Sequence, residues 1–148
     1  MPIGDRKREI RARMLVNGAA TGPLTALDNP ISFWGGVDLA TGKLSNPSHP
    51  QCGVSLRHAI VLMPHTIGST AGPGALLELL AADLGPAAIL LDEGDPAPVV
   101  ASRVLSFIGE TATPVGVLSK EGYAAAKAWR DANAVLKDGV LSPVTATS

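Results

Sequence analysis

The sequence predicts a mixed α/β domain of β/β/α type, with strands first and strand–helix alternation after them. Three observations predict it. Short apolar runs of strand length recur between breaks containing Gly, Pro, Asn or Asp. From residue 58 onward these runs are separated by helical stretches long enough for parallel crossovers. The 16 glycines and 12 prolines are scattered instead of gathered in a linker. Residues 1–148 therefore read as one domain with many tight turns, entered by a loose lead-in over residues 1–10.

Taken in order, Arg13–Asn17 (RMLVN) reads as a short strand stopped by Gly18. Ala19–Pro23 is turn-rich, and Leu24–Leu27 is a second strand ended by Asp28, Asn29 and Pro30. Ile31–Asp38 (ISFWGGVD) places two glycines after bulky apolar residues, which implies a bulge or a close backbone approach. Thr41–Gly42 is a turn that Asp38 would hydrogen-bond, and Asn46–Pro50 is loop. His58–Met63 (HAIVLM) is nearly all apolar, as suits a strand covered on both faces. A helix follows at about Pro73–Leu84, with Leu76, Leu77, Leu79, Leu80 and Leu84 as its buried stripe and Gly85 as its stop. Ala87–Leu91 is a strand, Ala97–Phe107 a helix ended at Gly109, and Pro114–Leu118 a strand. Ser119 caps a helix running to about Trp129. Asp138–Gly139 turns between Ala134–Leu136 and Val140–Leu141.

A chain of 148 residues with 46% apolar and 17% charged residues is globular and can bury about two-thirds of its unfolded surface. Twelve Lys and Arg against thirteen Asp and Glu leave a formal net charge of -1. No general field draws this chain to nucleic acid or an anionic membrane, and 3% aromatic residues offer few stacking platforms. The basic run Arg6–Arg13 reads as a solvated lead-in. No apolar run approaches the roughly 20 residues of a membrane helix, and the N-terminus has no signal-type apolar core, so a cytoplasmic location is expected. The single cysteine, Cys52, excludes an intrachain disulfide and reads as a small buried hydrophobe.

The most informative segment is His65–Gly74 (HTIGSTAGPG), which leaves a strand and opens a helix. The first N–H groups of that helix have no partners within it and favour negative charge. Gly68 and Gly72 admit a close ligand. Ser69 and Thr70 are good capping types, and capping alone would explain Ser69. A hydroxyl there can also bind an anion, or act as a base whose alkoxide those donors stabilise. The loop is neither a P-loop nor a dinucleotide fingerprint.

Four blocks in this order resemble one known family. They are Ile31-Ser32-Phe33-Trp34-Gly35-Gly36-Val37-Asp38 with Thr41-Gly42; His49-Pro50 with Gly53 and Ser55; the strand ending at Pro64 with Gly68-Ser69-Thr70 and its Leu-rich helix; and Gly85-Pro86-Ala87-Ala88-Ile89. Together they resemble the small subunit of aconitase X-type dehydratases over about Arg11–Leu118. The resemblance implies the swivelling domain of the aconitase superfamily, closing over a site built mostly by a large subunit. It implies a hydro-lyase removing water from a hydroxy acid, with Ser69 as catalytic base. Gly68, Thr70, Ile67 and His65 become the substrate-binding candidates. No metal is expected on this chain; iron or an iron–sulfur cluster is expected on the large subunit, the partner in a heterodimer.

The resemblance implies two substrates, cis-3-hydroxy-L-proline and phosphomevalonate. The phosphomevalonate pattern commonly has Arg just before Gly-Ser, where this chain has Ile67. A terminal phosphate favours Arg, and an apolar Ile67 favours the ring acid. Rival expectations are the small subunit of an ordinary aconitase or isopropylmalate isomerase, and a non-catalytic interaction module of the same fold. Among other residues, His49 reads as a structural turn histidine, His58 as packing, and His65 as a neighbour of Ser69. Trp34, Gly35 and Gly36 belong to the subunit interface, to a pocket mouth or to the core, and Asp92, Glu93 and Asp95 to a solvated loop.

Overall fold

The computed structural model describes residues 9–68 and 70–144. Most of the expected lead-in, residues 1–8, and Ser69 lie outside the described residues. Ile10 is already paired in a strand.

Eight strands form one sheet: β1 (Ile10–Arg11), β2 (Arg13–Val16), β3 (Ala20–Ala26), β4 (Ile60–Met63), β5 (Ala88–Leu91), β6 (Val115–Val117), β7 (Asn133–Lys137) and β8 (Val140–Pro143). Their spatial order is β1-β8-β7-β3-β4-β5-β6-β2. Because Ala12 alone separates β1 from β2, one stretch of chain forms both edges, and the sheet curls into a near-barrel. Ala12 N donates to the Gly139 carbonyl at 2.8 Å, sealing the junction. Strands β3, β4, β5 and β6 run parallel; β7 and β8 pair antiparallel as the hairpin the Asp138–Gly139 turn predicts.

The helices are the short turn α1 (Phe33–Gly36), α2 (Gly72–Ala81), α3 (Pro96–Phe107) and α4 (Lys120–Lys127). Every residue of β4 and β5 is fully buried. Side chains alternate across these strands. Val61, Met63, Ile89 and Leu91 join Phe33, Leu76, Leu79 and Ala101 on one face. Ile60, Leu62, Ala88 and Leu90 join Leu24, Tyr123, Ala126, Leu136 and Leu141 on the other. Ser119 caps α4 as expected, accepting from Gly122 N at 3.0 Å. Asp38 Oδ1 accepts from Ala40 N at 2.8 Å, closing the expected turn.

Four local expectations are corrected. Ala19–Pro23 is not a turn, since Ala20–Pro23 is the first half of β3 and pairs with β7. Gly22 is needed there because a Cβ would collide with the His58 carbonyl oxygen. Pro23, with no N–H to give, stands where β3 changes partner from β7 to β4. The helix α2 is ended by Asp83 at φ 61°, and Gly85 instead makes room for Leu80. Cys52 is exposed and not a buried hydrophobe. His58 precedes β4 with its Nε2 2.9 Å from Asp83 Oδ1 instead of packing inside. That hydrogen bond holds the Asp83 carboxyl below its ordinary range. No helix among the described residues is long and apolar enough to cross a membrane.

Leu62 is fully buried between α4 and the hairpin strands, so Leu62→Ala removes apolar contacts without relief from solvent. Denaturant unfolding should show a loss of about 2–5 kcal/mol. A loss under about 1 kcal/mol would mean this second core is loosely packed.

Candidate functional site

The chain leaves β4 at Met63 and passes over the carboxyl ends of the parallel strands, where open α/β sheets place their ligands. Several ties hold the segment Pro64–Gly68, beginning with the Pro64 carbonyl, which accepts from Asp92 N at 3.2 Å. Ile67 N donates to the Ile31 carbonyl at 2.9 Å, and Thr66 forms a parallel bridge with Ile31. Thr66 also donates from its backbone N and its Oγ1 to Asp95 Oδ2, both at 2.6 Å. Gly68 sits at φ 111°, tight against Ser32, where a Cβ would overlap the Ser32 hydroxyl. That hydroxyl in turn donates to the Trp34 carbonyl at 2.8 Å. The close approach expected at Gly35 and Gly36 is not made: a Cβ at Gly35 would meet nothing within 4 Å, and one at Gly36 only Ser32; Gly35 instead takes φ 84° in the α1 turn, and the tight contact with this block comes from Gly68.

Two cavities flank this segment and share Ile67, whose side chain is 53% exposed. The first, of about 370 Å³, is walled by Phe33, Thr66, Ile67, Gly68, Thr70 and the first residues of α2 and α3, including Pro73, Asp95 and Val100. The second, of about 250 Å³, lies under Ser32, Trp34, Gly35, Gly36, Asn46 and His49. Ile67, Gly68 and Thr70 thus meet on one wall. Ser69, between two of them in the chain, lies outside the described residues.

His65 lies outside the lining of both cavities. Its Nδ1 donates to the Thr66 carbonyl at 2.9 Å, and its Nε2 is 3.7 Å from Glu93 Oε1. His49 is structural: its Nδ1 accepts from Gln51 N at 2.9 Å, so Nε2 carries the proton and donates to the Asn29 carbonyl at 3.2 Å. The helix α2 begins after Ala71, whose methyl group cannot cap, so Thr70 is not the capping residue. Among the described residues no three His, Cys, Asp or Glu side chains gather as a metal set.

Sequence reasoning missed Thr66 and Asp95. The half-buried Asp95 is no solvated loop residue: its Oδ1 accepts from Ala97 N at 3.0 Å, capping α3, while Oδ2 holds Thr66. The local signal was present, because Asp followed by Pro is a strong helix start. The contact with Thr66, 29 residues away, has no local signal.

A family model described as "Aconitase X swivel domain" matches residues 9–107. The chain is 36% identical over 114 residues to a protein of Hypocrea jecorina named cis-3-hydroxy-L-proline dehydratase. That match covers 77% of this chain but 19% of the relative, so this chain spans about a fifth of its length. It is 34% identical over 88 residues to a protein of Methanothermobacter thermautotrophicus named phosphomevalonate dehydratase small subunit, covering 60% of this chain and 67% of the relative. The structure of Thermococcus kodakaraensis aconitase X in its holo-form superposes with a TM-score of 0.78 at 22% identity, covering 93% of this chain and 98% of that one. The mixed α/β architecture is therefore the swivel fold that the sequence blocks implied.

Gly68→Ala meets both the left-handed backbone and the Ser32 side chain. It should lower stability by about 1–3 kcal/mol in denaturant unfolding. Ser32→Gly in the same chain should recover part of that loss, since it clears the overlap but leaves the backbone strain. No recovery would mean the Ser32 contact is not the limiting one.

Proposed function

Because the chain belongs to the aconitase X swivel-domain family, we propose that it is the small subunit of a hydro-lyase that removes water from a hydroxy acid together with a large subunit. The substrate best supported is cis-3-hydroxy-L-proline, giving Δ1-pyrroline-2-carboxylate. The observation that carries this choice is Ile67, an apolar side chain on the shared wall of both cavities with Phe33, Pro73 and Val100 beside it. Such a wall suits a pyrrolidine ring. Asp95 is the charged residue among those described on the first cavity, and it would repel a terminal phosphate.

Ser69 is the base in this reading. In cis-3-hydroxy-L-proline the carboxylate and hydroxyl share a ring face, so the α-hydrogen lies opposite the hydroxyl. Ser69 takes that proton from one face while the hydroxyl leaves from the other. Iron, if held by the large subunit, would supply Lewis-acid help to the leaving hydroxyl. Free serine is a poor base, so its alkoxide needs N–H donors, of the kind the start of a helix supplies.

A second reading has its own support. This chain covers 67% of the phosphomevalonate dehydratase small subunit of M. thermautotrophicus, whereas it matches a fifth of the cis-3-hydroxy-L-proline dehydratase of H. jecorina. Chain division therefore favours phosphomevalonate, and the wall residue favours the ring acid. The wall is weighted more heavily because it touches substrate.

The deciding experiment assays the co-purified large and small subunits, reduced and iron-loaded, on both acids. The expected outcome is turnover of cis-3-hydroxy-L-proline, with phosphomevalonate at least about 10-fold poorer in kcat/KM for want of a charged hydrogen-bond partner. The reverse preference would move the protein to phosphomevalonate and keep the reaction class. Ser69→Ala should lower kcat by about 10²–10⁴-fold with the subunits still assembled. Retained turnover would remove Ser69 as the base, and an active complex lacking this chain would leave it an interaction module.

A further inference from the structure

We propose that Asp95 is a positioning residue for this reaction: its carboxylate fixes the backbone at Thr66, three residues before Ser69 in the chain. The inference rests on the reading of Ser69 given above and adds a residue that acts through it.

The geometry is specific. One carboxylate oxygen takes two donors from the same residue, the backbone N and Oγ1 of Thr66, both at 2.6 Å. The other oxygen takes Ala97 N at 3.0 Å. Hydrogen bonds to an ionised acceptor are the shorter and stronger kind. With both oxygens engaged, Asp95 serves as an anchor and not as a proton acceptor for substrate. The anchor is stiff, because Asp95 caps α3, whose inner residues Pro98, Ala101, Ser102 and Leu105 are buried. Ser102 Oγ further ties that helix to the Thr113 carbonyl at 2.5 Å.

The position matters because Thr66 is three residues before Ser69. On its other side Thr66 is bridged to Ile31, and Ile67 is bonded there through its backbone. Asp95 supplies the opposing hold. Without it, Thr66 keeps its bridge to Ile31 and loses the hold on its opposite side. A displacement of about 1 Å at a reacting group is enough to cost about 100-fold in rate.

Two near-isosteric variants separate positioning from folding. Asp95→Asn keeps a good N-cap oxygen for Ala97 N but turns an amide group or a weaker acceptor toward the two Thr66 donors. Thr66→Val removes the hydroxyl donor and keeps the shape. Both are measured in the assembled two-subunit complex on cis-3-hydroxy-L-proline and on phosphomevalonate, beside wild type, Ser69→Ala and the double variant. Each single variant should lower kcat about 10- to 100-fold, with KM changing less and assembly retained. The double variant should be little worse than the worse single one, because both break the same tie.

Amide hydrogen exchange of the complex gives a readout that needs no turnover. Asp95→Asn should speed exchange at Thr66 and Ile67 and leave the interior of α3 protected. Unchanged exchange there, or unchanged kcat, overturns the inference. So do strictly additive losses, and so does a lower melting temperature with full kcat in the assembled complex, which would make Asp95 structural only. If Ser69→Ala abolishes turnover while Asp95→Asn does not, the proposed function stands and this inference fails. If Ser69→Ala keeps full turnover, both fall.

Discussion

The near-barrel depends on one constraint, the use of residues 10–16 as both edges of the same sheet. Ile10–Arg11 pairs with the last strand and Arg13–Val16 with β6, so closure needs a single residue, Ala12, to pass between them. Closure removes exposed strand edges. It also pairs β1 with β8, so closure brings together segments far apart in sequence. The parallel core β3-β4-β5-β6 is built inside that ring, and its carboxyl ends are brought to one rim.

The candidate site is made on that rim by segments far apart in sequence. The α1 block supplies Ser32 and Ile31, the β4–α2 loop supplies Thr66, Ile67, Gly68 and Thr70, and the β5–α3 loop supplies Asp95. Backbone contacts dominate. Ser32 packs on a glycine, Ile31 bonds a main-chain N–H, and Asp95 holds another. Such an arrangement fixes the path of the chain more than it presents reactive side chains. That suits the proposed role, in which the domain brings a few groups to a site completed by a large subunit. The polar pair His58 and Asp83 belongs elsewhere, at the amino end of the parallel strands.

Much of this was legible in order. Fully apolar runs declared β4 and β5, Ser119 declared the start of α4, and Asp138–Gly139 declared the last hairpin, because each rests on short-range chemistry. Ala20–Pro23 was misread for the same reason. Gly and Pro mark turns when only neighbours are considered, but here Gly22 answers to the carbonyl of residue 58 and Pro23 to a change of strand partner.

The sequence by itself determined the fold class, the family blocks and the segment Ile67-Gly68-Ser69-Thr70 as the place to look, since these depend on residue type and spacing along one stretch of chain. The tertiary structure decided that Ile67 stands between two cavities, that Trp34 is outside the core, and that Asp95 is bound to Thr66. The physical reason is distance in sequence. A carboxylate chooses its donors from whatever the fold brings within about 3 Å, and no local pattern at residue 95 records which loop the closed sheet will lay beside it.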